Sequence, residues 1–466
     1  MAAPFDIVVL GAGSGGYACA LRAAELGLSV ALVEKDKVGG TCLHRGCIPT
    51  KAVLHAAEVA DSARTSSQFG VHAHIDKIDL AGVRSYADSV VARLHTGLSG
   101  LIRSRGITVV AGEGRLVRSE GQPAVVVGDD TYSASSVVLA SGSSSKTLPG
   151  VPVDHTQILT SESALRLETL PESAIVLGGG VIGVEFASAW RSLGVDVTII
   201  EALPRLISNE EPEVSQALAR AFRHRKIACL TDSPTESVHR SEAGVEVVLQ
   251  DGRTVAAELL LVAVGRGPVT AGLGYVESGV ELDTQGYVTV SERLETSVPG
   301  VFAVGDIVPG PQLAHRGFAH GIFVAEEIAH RLGRSDSPPV PVEDVTIPKV
   351  AYCDPEVASV GLTEAAARRQ YDEVETVTFD LAGLGKAQIV RTKGFVKLVR
   401  VSGGPVVGVA MVGARVSELI AEAQLITSWD AFPGDVAALI HPHPTLSEAL
   451  GEAHLALAGK PLHTHG

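Results

Sequence analysis

Two cysteines lie five positions apart in a chain that has five cysteines in 466 residues. Cys42 and Cys47 belong to the segment GGTCLHRGCIPTK, which follows a glycine-rich region and otherwise has the pattern of a helix start. Such a pair could be a redox disulfide, a metal site or two ordinary thiols. A metal site would need a second Cys or His pair at finger-like spacing, and Cys19, Cys229 and Cys353 stand alone. The pattern therefore favours a redox pair.

The spacing of the pair sets a geometric condition. In a regular α-helix, residues i and i+5 have Cα atoms about 8.7 Å apart, whereas a disulfide needs less than about 7 Å. We therefore expect a locally distorted helix and a disulfide that is readily reduced. Lys51, four residues after Cys47, would favour a Cys47 thiolate and lie near a cofactor, although an ordinary surface lysine is the alternative.

A duplicated pattern indicates what positions the pair. Each copy has a β run, a Gly-x-Gly-x-x-Gly turn, a helix, and a second strand ending at a glutamate, with identical glycine-to-glutamate spacing. The glycines permit a tight turn, the helix N-terminus binds a pyrophosphate, and the glutamate binds ribose hydroxyls. One copy could be merely a tight turn, but two predict two adenine dinucleotide sites. The matching residues are Gly11, Gly13, Gly16 and Glu34, then Gly178, Gly180, Gly183 and Glu201.

The two copies are expected to bind different cofactors. The eight-residue step from Glu34 to Cys42 spans at most about 27 Å, enough to run the length of FAD and to reach its flavin ring. Glu201 favours NAD over NADP, because a carboxylate repels a 2′-phosphate. Glu185, in the second copy, would be a counter-ion for Lys51, although a carboxylate in a first helical turn is also stabilised by the helix dipole.

The composition excludes some functions. With 53 acidic and 38 basic residues, the formal charge of −15 argues against a nucleic-acid partner. No apolar run reaches membrane-spanning length, and the N-terminus shows no signal-peptide pattern, so we expect a cytoplasmic protein without membrane association. The length requires several domains, and the 4% aromatic content with 50 glycines suits α/β packing.

Several motifs together resemble the flavoprotein disulfide reductases, and among them most closely the branch that oxidises protein-bound dihydrolipoamide. They are the cysteine segment, the two dinucleotide patterns, SVPGVFAVGDI and HPHPTLSEA, and they occur in the family's order over nearly the whole chain. The resemblance implies that Cys42 exchanges with substrate and Cys47 faces the flavin. It also implies further FAD-binding residues, namely Thr41, Lys51, Gly114, Ser141, Gly142, Ser143, Asp306, Gln312, Leu313, Ala314 and His315, and an NAD-bordering residue, Gly265.

The resemblance also supplies a base. It implies that His443 and Glu448 form a base and its orienting carboxylate, contributed by the other subunit of a homodimer. A thiol of pKa about 8.5 needs such a base to become a thiolate, and an imidazole held by a carboxylate suits the task. His441 and His443 could instead form an H-x-H metal pair or be solvated loop histidines.

Three positions depart from the family's pattern. His44 and Val269 stand where the family usually has Asn, and His320 stands where Glu or Gln is more common. We expect Val269 and His320 to alter fine contacts, and His44 to alter the potential or the thiolate pKa.

The predicted fold is α/β, with two Rossmann-like dinucleotide-binding domains for FAD and NAD and a C-terminal α+β dimerisation domain. The expected FAD domain covers residues 1–150 and the NAD domain residues 151–272. Residues 273–340 would complete the FAD site, and residues 341–466 would form the interface. The segment GRSDSPPVPVED is the clearest linker.

The predicted function is oxidation of dihydrolipoamide on a lipoyl domain of a 2-oxo acid dehydrogenase complex, with reduction of NAD⁺ and without a metal. A reductase of another low-molecular disulfide is one alternative. An NADH diaphorase or quinone reductase that needs no cysteine pair is another, and a structural subunit of such a complex is a third.

Overall fold

The computed structural model describes residues 5–119 and 121–463. The first four residues, on which the expectation of no signal peptide partly rests, lie outside them. Within the described residues, no helix is both long enough and apolar enough to cross a membrane.

The strands and α-helices alternate around the two glycine turns, and runs of consecutive strands follow each of these regions. The strands are β1 Phe5–Leu10, β2 Val30–Glu34, β3 Thr108–Ala111, β4 Gly114–Ser119, β5 Gln122–Val127, β6 Asp130–Leu139, β7 Ser143–Ser145, β8 Ile158–Leu159, β9 Ser173–Leu177, β10 Asp196–Ile200, β11 Ala228–Leu230, β12 Thr235–Ser241, β13 Gly244–Leu249, β14 Thr254–Ala257, β15 Leu259–Val262, β16 Arg266–Pro268, β17 Val301–Ala303, β18 Lys349–Ala351, β19 Glu356–Gly361, β20 Val374–Asp380, β21 Phe395–Val401 and β22 Val406–Gly413. The α-helices are α1 Ser14–Glu25, α2 Gly40–Arg45, α3 Cys47–Thr65, α4 Leu80–Ser104, α5 Ser161–Ala164, α6 Val181–Leu193, α7 Pro212–His224, α8 Ala314–Arg331, α9 Glu364–Gln370, α10 Gly385–Val390, α11 Val416–Ser428, α12 Pro433–Ala437 and α13 Glu448–Leu457.

The chain forms two compact units, each built from three segments. Unit 1 comprises Met1–Ala52, Ala81–Lys146 and Arg266–Asp344, and unit 2 comprises Val53–Leu80, Thr147–Gly265 and Val345–Gly466. The last boundary falls at the end of the predicted linker. The predicted division into four domains stays a prediction, and its boundaries differ from those of the units: Val53–Leu80, in the predicted FAD domain, belongs to unit 2, and residues 266–272, in the predicted NAD domain, belong to unit 1.

Unit 1 is built on one sheet, in the order β3-β2-β1-β6-β5-β4, with β17 beside β6. Strands β1, β2, β3, β6 and β17 pair in parallel, whereas β4, β5 and β6 pair antiparallel. The near-continuous apolar sequences of β1 and β2 are typical of parallel strands buried on both faces. Because strand order reverses at β1, its carboxyl end is a switch point, where open α/β sheets bind ligands.

Unit 2 repeats this arrangement and adds antiparallel sheets. Its parallel sheet has the order β11-β10-β9-β15-β8, with a reversal at β9. Strands β12 to β14 form an antiparallel sheet, and β18-β19-β22-β21-β20 form another, which packs on α11 and α13 around a buried apolar cluster. This architecture confirms the predicted α/β fold class with an added α+β part.

Both predicted strand-turn-helix copies are present, and their third glycines have a steric reason. A Cβ on Gly16 would lie 1.8 Å from the Gly11 carbonyl oxygen, and one on Gly183 would lie 1.9 Å from that of Gly178. Gly11 and Gly178 have φ values of +104° and +111°, a region that side-chain-bearing residues rarely adopt. The turn thus requires glycine at both places in each copy.

A buried lysine ties β21 to α7 and α9 within unit 2. The Lys397 side chain is 3% exposed, and its Nζ lies 3.2 Å from Glu211, 3.0 Å from Glu213 and 2.8 Å from Glu364. Burial alone would lower the pKa of Lys397, but hydrogen bonds to Glu364 and Glu213 raise it above its usual value. The ammonium ion therefore stays charged in the interior.

Replacing Lys397 should lower the free energy of unfolding, because the nearby carboxylates lose their counter-ion. In Lys397→Met, Glu211, whose side chain is 4% exposed, loses its counter-ion, so we expect a loss of about 3–5 kcal/mol in the free energy of unfolding. The hydrogen bond from Lys397 holds the pKa of Glu364 below its usual value, so the stability that this contact contributes is present at neutral pH and is lost as the pH falls. The deficit should be largest at mildly alkaline pH and should shrink toward acidic pH.

Urea unfolding followed by circular dichroism at several pH values measures this. Lys349→Met is the matched control, because Lys349 is 34% exposed and lies 3.8 Å from Glu210, so it should lose about 1 kcal/mol or less. Equal losses in both variants at every pH would contradict the prediction.

Candidate functional site

The segment with the two cysteines is an interrupted helix. Helix α2 ends at Arg45, Gly46 adopts φ −135° and ψ −111°, and α3 begins at Cys47. The predicted distortion is therefore confirmed. It lies at the residue that separates the two helices.

The two cysteines are thiols that share a hydrogen bond. This hydrogen bond to Cys47, together with burial, raises the pKa of Cys42 far above its usual value, while Lys51 and a hydrogen bond with Ser14 act in the opposite direction. Cys47 is the first residue of the 19-residue helix α3, and a helix N-terminus stabilises negative charge. In the dithiol form, negative charge is therefore favoured on Cys47 over Cys42.

Two residues near Cys42 were not among the predicted site residues. Ser14, which bonds Cys42, lies between the second and third glycines of the first copy. Burial raises the pKa of Tyr17 to about 12, so this phenol stays neutral. The sequence feature that could have identified both residues is their position in the first turn of α1, the helix whose N-terminus is directed to the site.

His44 makes local contacts on the redox segment. Its Nε2 lies 2.9 Å from the Val38 carbonyl oxygen, and its ring meets the edge of His95 with centroids 5.0 Å apart. Burial, followed by the charges of His44 and Lys37, lowers the pKa of His95. The predicted influence of His44 on the potential stays a prediction.

The first dinucleotide turn has the features that FAD requires. A Cβ on Gly13 would meet nothing within 4 Å, so there is open space at the N-terminus of α1. One oxygen of Glu34 accepts the Ala12 amide at 2.7 Å, and the other accepts the Asp36 amide at 2.9 Å. Because each carboxylate oxygen has a second lone pair, Glu34 is fixed and can still accept ribose hydroxyls.

The second turn has the same construction. A Cβ on Gly180 would again meet nothing within 4 Å. Glu201 accepts the Gly179 amide at 2.5 Å through one oxygen and the Leu203 amide at 2.8 Å through the other. The residues of both copies fit an adenine dinucleotide.

Unit 1 gathers several predicted flavin-binding residues that are far apart in sequence. Ser143 donates its hydroxyl to Asp306 at 2.5 Å, and Arg266, which was not predicted, donates to the Ser143 hydroxyl at 2.8 Å. Gln312 donates to the Asp306 carbonyl oxygen at 3.3 Å. The hydroxyl of Ser141 donates to the Val269 carbonyl oxygen, so the departure at Val269 leaves this main-chain contact intact.

His320 lies on the same side of unit 1. It is 2% exposed, and burial, with the charge of Arg316, lowers its pKa to about 4. The neutral ring accepts the Gly305 amide on Nδ1 at 3.4 Å. This departure from the family therefore places an uncharged acceptor beside the turn that carries Asp306.

The remaining predicted cofactor residues occupy varied places. Glu185 is 2% exposed on α6 and accepts the Tyr352 amide at 3.0 Å, and its pairing with Lys51 stays a prediction. A Cβ on Gly114 would lie 2.6 Å from Leu10, so this glycine has a packing reason. Thr41 lies on α2 and Lys51 lies on α3. Gly142 and Gly265 lie in turns and have positive φ. The start of α8 carries Leu313, Ala314 and His315.

Unit 2 brings His443 and Glu448 together as predicted. His443 Nδ1 lies 2.8 Å from one oxygen of Glu448, and the Thr445 amide donates to the other at 2.7 Å. Burial opposes the ionised carboxylate, but the Thr445 amide and His443 lower the pKa of Glu448 below its usual value. A carboxylate on Nδ1 leaves Nε2 as the basic nitrogen, and the His443 side chain is 76% exposed.

No group of three or more His, Cys, Asp or Glu side chains that could hold a metal ion occurs in residues 5–119 and 121–463.

Comparison with known proteins agrees with this geometry. The pyridine nucleotide-disulphide oxidoreductase family matches residues 5–321, and its dimerisation domain matches residues 347–454. The chain is 38% identical to a dihydrolipoyl dehydrogenase of Bacillus subtilis over 99% of this chain and 100% of that protein. It is 37% identical to one of Geobacillus stearothermophilus over 98% of this chain and 97% of that protein.

A solved structure is also similar. The crystal structure of LpdA from Mycobacterium tuberculosis superposes with a TM-score of 0.89 at 29% identity, over 97% of this chain and 99% of that one. The chain belongs to the pyridine nucleotide-disulphide oxidoreductase family. This membership confirms the predicted class, a flavoprotein disulfide oxidoreductase that uses FAD and NAD.

The two glycine positions of the NAD turn should respond differently to alanine. In Gly180→Ala the Cβ enters open space, so the fold should persist, but the side chain occupies the pyrophosphate position and should weaken NADH binding about 10- to 100-fold. In Gly183→Ala the Cβ clashes with the Gly178 carbonyl group, so the protein itself should be destabilised.

Thermal unfolding and titration of NADH by fluorescence separate the two effects. A Gly180→Ala protein that binds NADH as tightly as the unmodified chain would contradict the assignment of this turn.

Proposed function

We propose that this chain is a dihydrolipoyl dehydrogenase, which oxidises protein-bound dihydrolipoamide to lipoamide and reduces NAD⁺. The observation that carries the proposal is the pair of neighbouring thiols at the break between α2 and α3, in which Cys42 is hydrogen-bonded to Cys47, the first residue of α3. Such a pair is the product of reducing a disulfide with a dithiol. The full-length relatives named dihydrolipoyl dehydrogenase support the choice of dithiol.

The chemistry follows from the residues. His443 accepts the proton of one substrate thiol, held in the right tautomer by Glu448. The resulting thiolate attacks Cys42 of the Cys42–Cys47 disulfide, forms a mixed disulfide and releases Cys47 as a thiolate. The second substrate thiol then attacks the substrate sulfur of the mixed disulfide, which breaks the bond to Cys42 and closes the lipoyl disulfide, and the released Cys42 takes up the proton of that thiol. The substrate loses two electrons and two protons, and the disulfide becomes a dithiol.

Bound FAD would supply the acceptor for the electron pair of the dithiol, and bound NAD⁺ the final hydride acceptor. The residues that would hold FAD are Glu34 and Gly13 at the adenosine and pyrophosphate end, and Ser143 and Asp306 farther along. We assign Cys47 to the flavin side and Cys42 to the substrate side, as the family resemblance implies. Glu201 and Gly180 would hold NAD.

A homodimer is part of the proposal. The dimerisation domain supports it, and so does the 76% exposure of a His443 side chain that must reach a substrate. We assign His443 and Glu448 to the thiol pair of the other subunit. The partner would be a lipoyl domain of a 2-oxo acid dehydrogenase complex, in the cytoplasm.

An anaerobic titration of the purified holoprotein with dihydrolipoamide tests the proposal. Visible absorbance of the flavin should change on addition of dihydrolipoamide, because electrons pass through the thiol pair, and NADH should form when NAD⁺ follows. Cys42→Ser and Cys47→Ser should each abolish both signals, since either change removes one sulfur of the disulfide.

The outcomes discriminate among the alternatives. Flavin that stays oxidised with dihydrolipoamide yet bleaches with NADH would reject the lipoamide assignment and favour a diaphorase or another disulfide. NADH formation that survives Cys42→Ser would reject the role of the thiol pair.

A further inference from the structure

A second His–Glu pair lies two residues before the proposed base. His441 Nε2 lies 2.8 Å from Glu422 on α11, the same distance that separates His443 from Glu448. The two imidazoles differ in environment, because the His441 side chain is 12% exposed and that of His443 is 76% exposed. In the single chain the exposed ring is held by its hydrogen bond to Glu448, so its position depends on the segment that carries both residues.

His441 also packs against α13. A Cβ on Gly451 would lie 2.6 Å from His441 Nδ1 and 3.0 Å from its Cε1. The φ of Gly451 is not in the left-handed region, so glycine is required here for the space it leaves. Because Gly451 follows Glu448 by one helical turn, His441 is wedged between α11 and the helix that carries the orienting carboxylate.

Further hydrogen bonds connect the segment that begins at His441 to the His443–Glu448 pair. The Thr445 hydroxyl donates to the Pro442 carbonyl oxygen at 2.7 Å, and the Thr445 amide donates to Glu448 at 2.7 Å. The segment from His441 to Glu448 is thus held at its first residue, in its middle and at its last residue. Pro442, His443 and Pro444 are the exposed residues of this segment, and His443 is the titratable one among them.

The charged and titratable groups around His441 come from three elements. Glu422 faces it from α11, Glu448 and His454 face it from α13, and His443 lies on its own segment. Burial lowers the pKa of His454 to about 4, although its hydrogen bond to the Leu450 carbonyl oxygen acts against this, so that ring is neutral. The charge of His441 helps to lower the pKa of Glu448, after the contributions of Thr445 and His443.

We propose that His441 and Glu422 form a positioning pair that fixes the His443–Glu448 dyad for proton transfer. The inference rests on the proposed function and extends it to residues that touch neither substrate nor cofactor. His441 acts through the place it gives to the segment and through its effect on the carboxylate. The H-x-H motif is then two histidines with different tasks, one buried and positioning, one exposed and basic.

Gly451→Ala tests this proposal without replacing any of the four residues of the two His–Glu pairs. Alanine in a helix is otherwise favourable by about 0.5–1 kcal/mol, which offsets part of the cost of the clash with His441, so the variant should still fold. It should displace His441 and lower kcat for dihydrolipoamide oxidation by about 10²-fold, the cost of a base misplaced by about 1 Å. NADH-dependent reduction of a dye, which needs no thiol base, should stay unchanged.

Gly434→Ala is the matched control, because Gly434 is an exposed helical glycine on α12 with nothing within 4 Å of its Cβ position. It should leave both activities unchanged. Thermal unfolding of both variants as holoprotein checks that the fold is retained.

Variants of His441 separate positioning from general stability. His441→Gln keeps a donor for Glu422 and should retain kcat within about threefold, whereas His441→Ala should fall as far as Gly451→Ala. The double variant Gly451→Ala/His441→Ala should have a kcat no lower than that of either single variant, because both substitutions act through the position of His441.

The results distinguish failure of the proposed function from failure of the positioning role of His441. If the unmodified holoprotein does not oxidise dihydrolipoamide, the proposed function is rejected and the positioning role falls with it. If it does, and Gly451→Ala retains full kcat, or the losses of the two single variants multiply in the double variant, the positioning role is rejected while the proposed function stands.

Discussion

Both dinucleotide-binding parts of the protein, called lobes below, depend on the close approach of a glycine to the carbonyl oxygen of the preceding turn. At Gly16 and Gly183 a single added carbon would lie less than 2 Å from that oxygen. Only with this contact does the helix begin directly at the end of the central strand. The redox segment depends on it as well, because the Gly39 amide bonds the Ala12 carbonyl oxygen at 2.8 Å and a Cβ on Gly40 would lie 2.6 Å from Gly13.

The difference between the two thiols is a consequence of where the helix is interrupted. A continuous helix would have placed both cysteines inside hydrogen-bonded turns, too far apart to bond. The break at Gly46 instead makes Cys47 the first residue of a new helix and leaves Cys42 on the last turn of the preceding one. Electrostatics then follows from backbone position, since a helix start stabilises a thiolate and the neighbouring thiol becomes its hydrogen-bond donor.

The parts of this protein that could be predicted are those in which one stretch of chain specifies its own structure. The two glycine turns, the strands before them, the interrupted helix at Cys42 and Cys47, and the glutamate that ends β2 all depend on residues close together in sequence. The Ser143–Asp306 bond, the Lys397 cluster and the His441–Glu422 pair join distant segments instead. No local pattern specifies such partners, because they depend on how separate elements pack. His443 and Glu448 were found only because they lie five residues apart within a recognisable motif.

One side chain in each lobe has two tasks at once. The oxygens of Glu34 and Glu201 that are expected to select the ribose also close the glycine turn by accepting two backbone amides. A substitution that removed the carboxylate from Glu201 to admit a phosphorylated nucleotide would also leave the Gly179 and Leu203 amides without these acceptors. Cofactor preference in this lobe is therefore not an independently adjustable trait. An evolutionary change of nucleotide must first restore the turn, through a compensating residue elsewhere, before the new preference can be selected.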